Sequence, residues 1–296
     1  MSIIEKNDYY SITAALLWGI NYVTVKSVLN ELPENSFLLI RFIIAVVLLL
    51  LYLVISGESI SVRRPDIIKI FMLGVMGVGV YNIFWTVGIH LTTASNAALI
   101  VSTSPLFTQL YMQVIKKEEA SIRRWIFMLL AFFGIFLMIC KSPGASLNLG
   151  SQFFIGNIMV FIGALLFAFY TIFAKPLLKY YSPVKLNALA MASGLPLMIV
   201  YCTLSDPLVI NNVSLITFFK MFYIIVFGTV VAYICWYTGI KKTGPVKVIL
   251  FHYIVPVSSM ILGVVFLGEL LTIAQIIGGI LALSGITIAN INTSKK

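Results

Sequence analysis

Apolar runs of about 20 residues recur along this chain, and short polar joints separate them. A helix needs that length to cross the hydrocarbon core of a bilayer. Of all residues 60% are hydrophobic and 10% are charged, whereas soluble domains are about 25% charged. The pattern excludes a soluble enzyme, a secreted disulfide scaffold and a disordered linker. It predicts an all-α integral membrane protein with ten transmembrane helices, at 9–29, 36–55, 67–89, 93–115, 122–140, 153–174, 186–204, 218–240, 246–267 and 271–291.

Most of the 20 lysines and arginines lie in loops on the same side as the N-terminus. Basic loops stay on the cytoplasmic side of a membrane, so we expect a multi-pass protein of the cell (inner) membrane with both termini cytoplasmic. This orienting role accounts for the net charge of +10 without nucleic acid as a partner. Arg41 falls toward the opposite side, where we expect it to extend its charge to the membrane surface.

The chain is an internal duplication. Shifted by 151 positions against itself, the stretch from Lys69 to Ile135 has 20 identities in 67 positions, whereas this composition gives roughly five or six by chance. The aligned pairs include Trp85 with Trp236, Pro105 with Pro256 and Glu118 with Glu269. Each half, 1–141 and 150–296, holds five predicted spans. Because five is odd, the second half must enter the membrane from the opposite face, as two five-helix inverted repeats, an architecture typical of secondary transporters.

Several motifs resemble the EamA-type branch of the drug/metabolite transporter superfamily. They are Trp18-Gly19-x-Asn21 followed by Lys26, Ala168-Phe169-Tyr170 followed by Lys175, Pro105 before Glu118, and Pro256 before Gly268-Glu269. The resemblance implies a ten-helix inner-membrane transporter whose central cavity is lined by spans 1, 3, 4, 6, 8 and 9. It also implies small metabolites as cargo, often amino acids and often exported. The first half reads Lys117-Glu118 where the second reads Gly268-Glu269, so Glu118 matches the family less well.

Polar and aromatic side chains on predicted spans are the candidates for lining a cavity. Polar groups in lipid lack water, so they face the bundle interior or an aqueous space. Packing between helices is the alternative for every one of them. His252 either relays a proton or packs as a neutral side chain. The substrate-binding candidates are Asn21, Tyr22, Asn82, Trp85, Ser102, Gln109, Tyr233, Trp236, His252 and Ser259.

Two prolines and four charged residues suggest moving parts. Pro105 and Pro256 each remove a hydrogen bond in the middle of a span, which predicts kinks and candidate hinges. Lys26 and Lys175 lie near opposite span ends and either guard the two mouths or pair with Glu269 and Glu118 respectively. We treat these four as gate candidates.

The charged residues absent from the predicted spans restrict the possible functions of the protein. No Asp or Glu lies in the middle of any predicted span, which disfavours a proton-coupled exporter of lipophilic cations and favours neutral, zwitterionic or anionic cargo. We expect a secondary transporter, not an enzyme, that exports amino acids or related small polar metabolites without a cofactor or metal. Its expected partners are that substrate and the lipid bilayer, and homodimerisation stays open. The alternatives are a multidrug, sugar or nucleotide permease, or a non-transporting receptor or channel.

Overall fold

The computed structural model describes residues 6–117, 151–205 and 213–291, together with a few isolated positions between them. These ranges are helical and contain no β-strand. In the first half the helices are α1 Tyr9–Val28, α2 Glu34–Ile55, α3 Arg64–Leu91, α4 Ala94–Val101 and α5 Ser104–Val114. In the second half they are α6 Gln152–Leu177, α7 Pro183–Leu204, α8 Leu215–Thr243, α9 Pro245–Leu267 and α10 Ile273–Ile291.

Six of the described helices, namely α2, α3 and α6 to α9, are long and apolar enough to cross a membrane. The predicted span at 122–140 and Glu118 lie outside the described ranges, so the count of ten stays a prediction. Side-chain caps define where several helices begin. Ser151, Ser182 and Ser214 each accept a hydrogen bond from the backbone N–H three residues later. This satisfies one of the free donors that every helix start exposes.

Both halves contain a wide turn inside their third helix. Val75–Val80 in α3 and Ile224–Val231 in α8 are π-helical, with backbone hydrogen bonds that reach back five residues instead of four. Shifted by 151 positions, the first wide turn falls inside the second. Such turns are often found at functional sites, and both of these lie next to the cavity described below.

Pro105 does not kink a continuous helix as predicted, whereas Pro256 lies within the continuous helix α9, where its kink and hinge role stay predictions. The predicted span 93–115 is broken at Ser102 and Thr103, and Pro105 is the second residue of α5. Pro256 is the third residue of the α-helical part of α9, which follows a 3₁₀ segment at Ile249–Tyr253. A proline in the first turn removes an N–H that has no helical partner there, so Pro105 marks the start of α5.

Contacts at the two ends of the bundle fix the directions of the helices. At one end Asp8, before α1, pairs with Lys247 at 3.0 Å, and Lys241 donates to the carbonyl of Tyr181, after α6. At the other end Thr92, after α3, hydrogen-bonds Asn157 near the start of α6. The start of α1 and the end of α6 therefore lie at the same end, and these two helices run in opposite directions.

A candidate substrate cavity between the halves

A small cavity lies in the middle of the bundle, where α1, α2 and α3 of the first half meet α8 and α9 of the second. The volume open to the centre of a water molecule is about 20 Å³, which is room for about one water. This space is much smaller than a metabolite. The lining residues are Trp18, Asn21, Tyr22, Arg41, Tyr81, Asn82, Trp85, Tyr233 and His252.

The wide turns position polar groups at this cavity. In α3, the amide of Asn82 donates to the carbonyl of Val78 inside the wide turn at 2.9 Å. In α8, the hydroxyl of Thr229 donates to the carbonyl of Ile224, five residues earlier, at 2.8 Å. The lone pairs of Thr229 remain available, and its Oγ1 accepts a hydrogen bond from Nε of Arg41 at 2.7 Å.

Arg41 does not reach the membrane surface as expected. The residue is 2% exposed, and its guanidinium lies among the rings of Phe37, Phe42 and Trp85 at 5.9, 5.0 and 5.5 Å. A guanidinium keeps its charge inside proteins and attracts the faces of aromatic rings. A buried cation therefore forms part of the cavity wall on α2, a helix outside the predicted lining.

Aromatic rings form most of the remaining wall. Trp18 meets Tyr233 edge-on at a centroid distance of 5.3 Å, and its indole N–H donates to the carbonyl of Gly228 at 3.0 Å. Tyr22 meets Trp85 edge-on at 5.2 Å. Trp and Tyr combine large apolar faces with a polar tip, so this wall suits a small molecule with both apolar and polar parts.

His252 lies among rings. Its imidazole stacks on Phe167 at 4.8 Å and meets Trp18 edge-on at 5.7 Å. Its Nδ1 is buried without a hydrogen-bond partner among the described residues. This environment is that of a packed ring at the edge of the cavity, and proton relay by His252 stays a prediction.

Six of the ten predicted binding residues line the cavity: Asn21, Tyr22, Asn82, Trp85, Tyr233 and His252. The other four lie elsewhere in this conformation. The indole N–H of Trp236 donates a hydrogen bond to the hydroxyl of Thr171. The hydroxyl of Ser102 donates to the carbonyl of Ala98 in its own helix, and the hydroxyl of Ser259 donates to the carbonyl of Ala94. Gln109 is buried in α5. The contacts of Trp236, Ser102 and Ser259 are those of helix packing. Whether any of the ten binds a substrate stays a prediction.

The two lysines share one role. Lys26 donates to the carbonyls of Ile89 and His90 at the end of α3, at 3.0 and 2.6 Å. Lys175 donates to the carbonyls of Ile240 and Lys241 near the end of α8, at 2.9 and 3.1 Å. A cation at a helix C-terminus satisfies free carbonyls and interacts favourably with the helix dipole.

Glu269 binds the start of α4 and does not pair directly with Lys26. Its carboxylate accepts hydrogen bonds from the backbone N–H groups of Ala94 and Ser95, at 2.8 and 3.1 Å, and from the hydroxyl of Ser95. A carboxylate at a helix N-terminus is stabilising, because it meets free donors and the positive end of the dipole. Glu269 thus connects the loop before α10 with the start of α4.

Three lining residues are absent from the predicted set: Trp18, Arg41 and Tyr81. Of these, Trp18 belongs to a motif of the family resemblance. The buried residues of α2, which include Phe37, Arg41 and Ala45, recur every four positions on one helix face. That spacing puts Arg41 on the face that packs inward, but the opposite face of α2 is equally apolar, so the sequence carries no clear signal for it.

The sequence model of the EamA-like transporter family matches residues 6–140 and again residues 154–291. The chain belongs to this family. The match confirms the resemblance to the drug/metabolite transporter superfamily, and with the apolar helices it makes the chain a multi-pass membrane protein.

Relatives across bacteria and archaea match nearly the whole chain. An uncharacterized transporter of Archaeoglobus fulgidus is 28% identical over 92% of this chain and 94% of its own length. The uncharacterized transporter YyaM of Bacillus subtilis is 25% identical over 93% of this chain and 90% of its own length. The uncharacterized inner membrane transporter YedA of Escherichia coli is 26% identical over 87% of this chain and 81% of its own length. A solved crystal structure aligns with a TM-score of 0.73 over 98% of this chain and 99% of that one. At 17% identity, this last likeness shows the fold alone.

Proposed function

We propose that this protein is a secondary transporter that exports small polar metabolites, with amino acids and related compounds as the favoured cargo. The observation that carries the proposal is a small polar and aromatic cavity built jointly by α1, α2 and α3 of one half and α8 and α9 of the other. Secondary transporters built from inverted repeats bind cargo where the repeats meet and open alternately to the two sides. The position of this cavity between the halves supports the proposal.

Paired contacts support an inverted repeat with the predicted halves 1–141 and 150–296. Lys26 and Lys175 bind the ends of α3 and α8, and their acceptors Ile89 and Ile240 are 151 positions apart. The opposite directions of α1 and α6 agree with a second half that is inverted. Rocking of one half against the other would then enlarge a cavity that now has room for about one water.

The chemistry of the lining supports polar cargo. Two carboxamides, three phenols and a guanidinium surround the space together with aromatic faces, and no carboxylate is among the lining residues that the structure describes. A site for lipophilic cations would be expected to present a negative charge. This lining favours cargo that accepts hydrogen bonds or carries negative charge.

The distribution of charge supports an orientation. The end of the bundle at which α1 begins holds Arg63, Lys175, Lys241, Lys242 and Lys247. Positive residues concentrate on the cytoplasmic side of membrane proteins. We therefore propose cytoplasmic termini and an inner-membrane location, with export as movement away from this basic end.

The test is transport by the purified protein in liposomes, with labelled amino acids, sugars, nucleotides and lipophilic cations offered with and without a pH gradient. We expect counterflow of at least one amino acid, and we expect Asn82→Ala to reduce it tenfold or more because that side chain lines the cavity. Asn187→Ala, a buried asparagine of α7 that is not among the lining residues, is the matched control for lost amide groups. Lipophilic cations as sole cargo, or no movement of any compound, contradicts the proposal.

A further inference from the structure

Arg41 is a buried cation with unused hydrogen-bonding capacity. A guanidinium carries five N–H donors. Its Nε donates to Thr229, and its Nη1 is buried without a partner among the described residues. The rings of Phe37, Phe42 and Trp85 attract the charge, yet they accept no ordinary hydrogen bond from it.

The described acidic residues are engaged at the ends of the bundle, away from Arg41. Asp8 pairs with Lys247, Asp66 with Arg63 and Lys69, and Glu34 with His90. The remaining glutamates, Glu31, Glu58 and Glu269, accept hydrogen bonds from Ser214, Ser182 and the start of α4 respectively. A buried charge without a counter-ion is costly, and such charges in membrane proteins usually mark a substrate or ion pathway.

Arg41 lines the cavity, and one side of its guanidinium is held by Thr229. Thr229 holds Nε, and Thr229 is itself fixed by its hydrogen bond to Ile224 across the wide turn of α8. The two terminal nitrogens of a guanidinium form a planar fork that fits the two oxygens of a carboxylate. Arg41 is also the one lysine or arginine among the described lining residues.

We propose that Arg41 binds a carboxylate group of the transported molecule. The inference deepens the proposed transport function and rests on it for the identity of the cargo. The carboxylate would supply the missing counter-ion and accept the hydrogen bonds that Nη1 does not make in this structure. The aromatic faces of Trp18 and Trp85 and the amide of Asn82 then contact the rest of the molecule.

The first test uses the wild-type protein alone, so it does not depend on the folding of any variant. The full chain in lipid nanodiscs is heated with matched pairs of small carboxylates and their primary amides, namely alanine, threonine, phenylalanine and pyruvate with the corresponding amides. A ligand that binds the native state raises the melting temperature. We expect at least one carboxylate to bind at least tenfold more tightly than its amide. Equal responses within every pair, or no response to any carboxylate, overturn the proposal.

The second test assigns the preference to Arg41. Arg41→Gln is expected to abolish the preference for the carboxylate, and Arg41→Lys to retain part of it, since an ammonium keeps the charge without the fork. Thr229→Val removes the acceptor for Nε and is expected to weaken carboxylate binding severalfold without affecting the amides. Arg63→Gln, which removes an arginine outside the cavity, is the matched control and is expected to behave as wild type. A folded Arg41→Gln protein that keeps the tenfold preference overturns the proposal.

Transport of the same pairs in liposomes separates this inference from the proposed function. Selective carboxylate binding without flux contradicts transport and leaves the Arg41 site standing. Equal flux of carboxylates and amides contradicts the Arg41 site and leaves transport standing. Flux of phosphate monoesters, with no carboxylate moved, also counts against the carboxylate assignment.

Discussion

The two halves of the molecule share their helix-end contacts and differ at the cavity. Trp236 of the second half is fully buried and donates its indole N–H to Thr171 of α6. Trp85, the equivalent residue of the first half, lies edge-on to Tyr22 of α1 and 5.5 Å from the guanidinium of Arg41. Trp236 therefore joins two helices through a hydrogen bond, whereas Trp85 forms part of the cavity wall.

The second helices of the halves show the same contrast. Both α2 and α7 have 22 residues, and their starts are 149 positions apart, which is also the separation of Lys26 from Lys175. At that shift Arg41 is equivalent to Ala190, and Ala45 to Gly194. The lysine contacts that recur in both halves hold helix ends, while the buried charge of α2 has no counterpart at the equivalent position of α7. Duplication thus supplies the scaffold, and divergence between the copies supplies the chemistry of the cavity.

The largest expected effect is at the tight contact between α3 and α7. A Cβ on Gly194 would lie 2.6 Å from the carbonyl oxygen of Gly74 and 2.9 Å from the nitrogen of Gly79. Because backbone atoms cannot move aside locally, Gly194→Ala should cost about 3 kcal/mol of stability, measured by thermal unfolding in detergent. Gly163→Ala is the control, since its new Cβ would meet the ring of Tyr81 at an ordinary 3.7 Å. Equal stability of the two variants would show that this contact is not tight.

The next largest effect tests the equivalence of the two lysines. Lys26→Met and Lys175→Met each leave two carbonyls at a helix end without their donor, which should cost about 2 kcal/mol. The loss should be larger for Lys26, because its positive charge also lies near the carboxylate of Glu269. The measurement is the melting temperature of each variant. If the melting temperature of Lys175→Met equals that of the wild type, the two lysines do not have equivalent roles.

A smaller effect separates the two tryptophans. Trp236→Phe removes the hydrogen bond to Thr171 and should cost about 1 kcal/mol of stability with little change in cargo affinity. Trp85→Phe weakens the attraction between the ring and Arg41, so cargo affinity should fall severalfold while stability changes less. Thermal unfolding and transport kinetics measured on both variants test this. If both variants lose the same stability and the same cargo affinity, Trp236 and Trp85 do not have different roles.

The smallest effect concerns an exposed carboxylate at the joint after α1. The backbone N–H of Ser214, before α8, donates to Glu31 and holds the pKa of Glu31 below its ordinary value. A carboxyl whose pKa is lower in the folded state stabilises the fold above its unfolded pKa and loses that contribution as the pH falls through the folded pKa. Glu31→Gln should therefore lower the melting temperature slightly near pH 7 and reduce its decline in acid. A steeper decline would contradict this assignment.

Sequence patterns predict much of this architecture, because lipid imposes simple rules. Apolar runs mark helices whatever their partners, and residue identities alone align Trp85 with Trp236 and Pro105 with Pro256. The inward and lipid-facing sides of a membrane helix are both apolar, however, so periodicity is weak. For that reason the prediction for Arg41, which lies near the polar start of its apolar run, was wrong and placed its charge at the membrane surface.

Other features depend on contacts that no local pattern carries. Hydroxyl and amide groups on one helix face suit a cavity and a helix contact equally well. Ser102 and Ser259 therefore have the pattern of cavity residues, although they hydrogen-bond backbone carbonyls. The hydrogen bond between Arg41 and Thr229 joins residues 188 positions apart and depends on the wide turn of α8.

That wide turn also sets the rotational phase of the helix beyond it. An α-helix advances about 100° per residue, so one extra residue in a turn rotates every later side chain by that angle. Tyr233 follows Ile224–Val231 by two positions and faces the cavity because of this offset. Winding the same sequence as a regular α-helix would rotate Tyr233 out of the lining and carry Trp236 away from Thr171. The wide turn of each half thus decides which side chains of the later helix any cargo can meet.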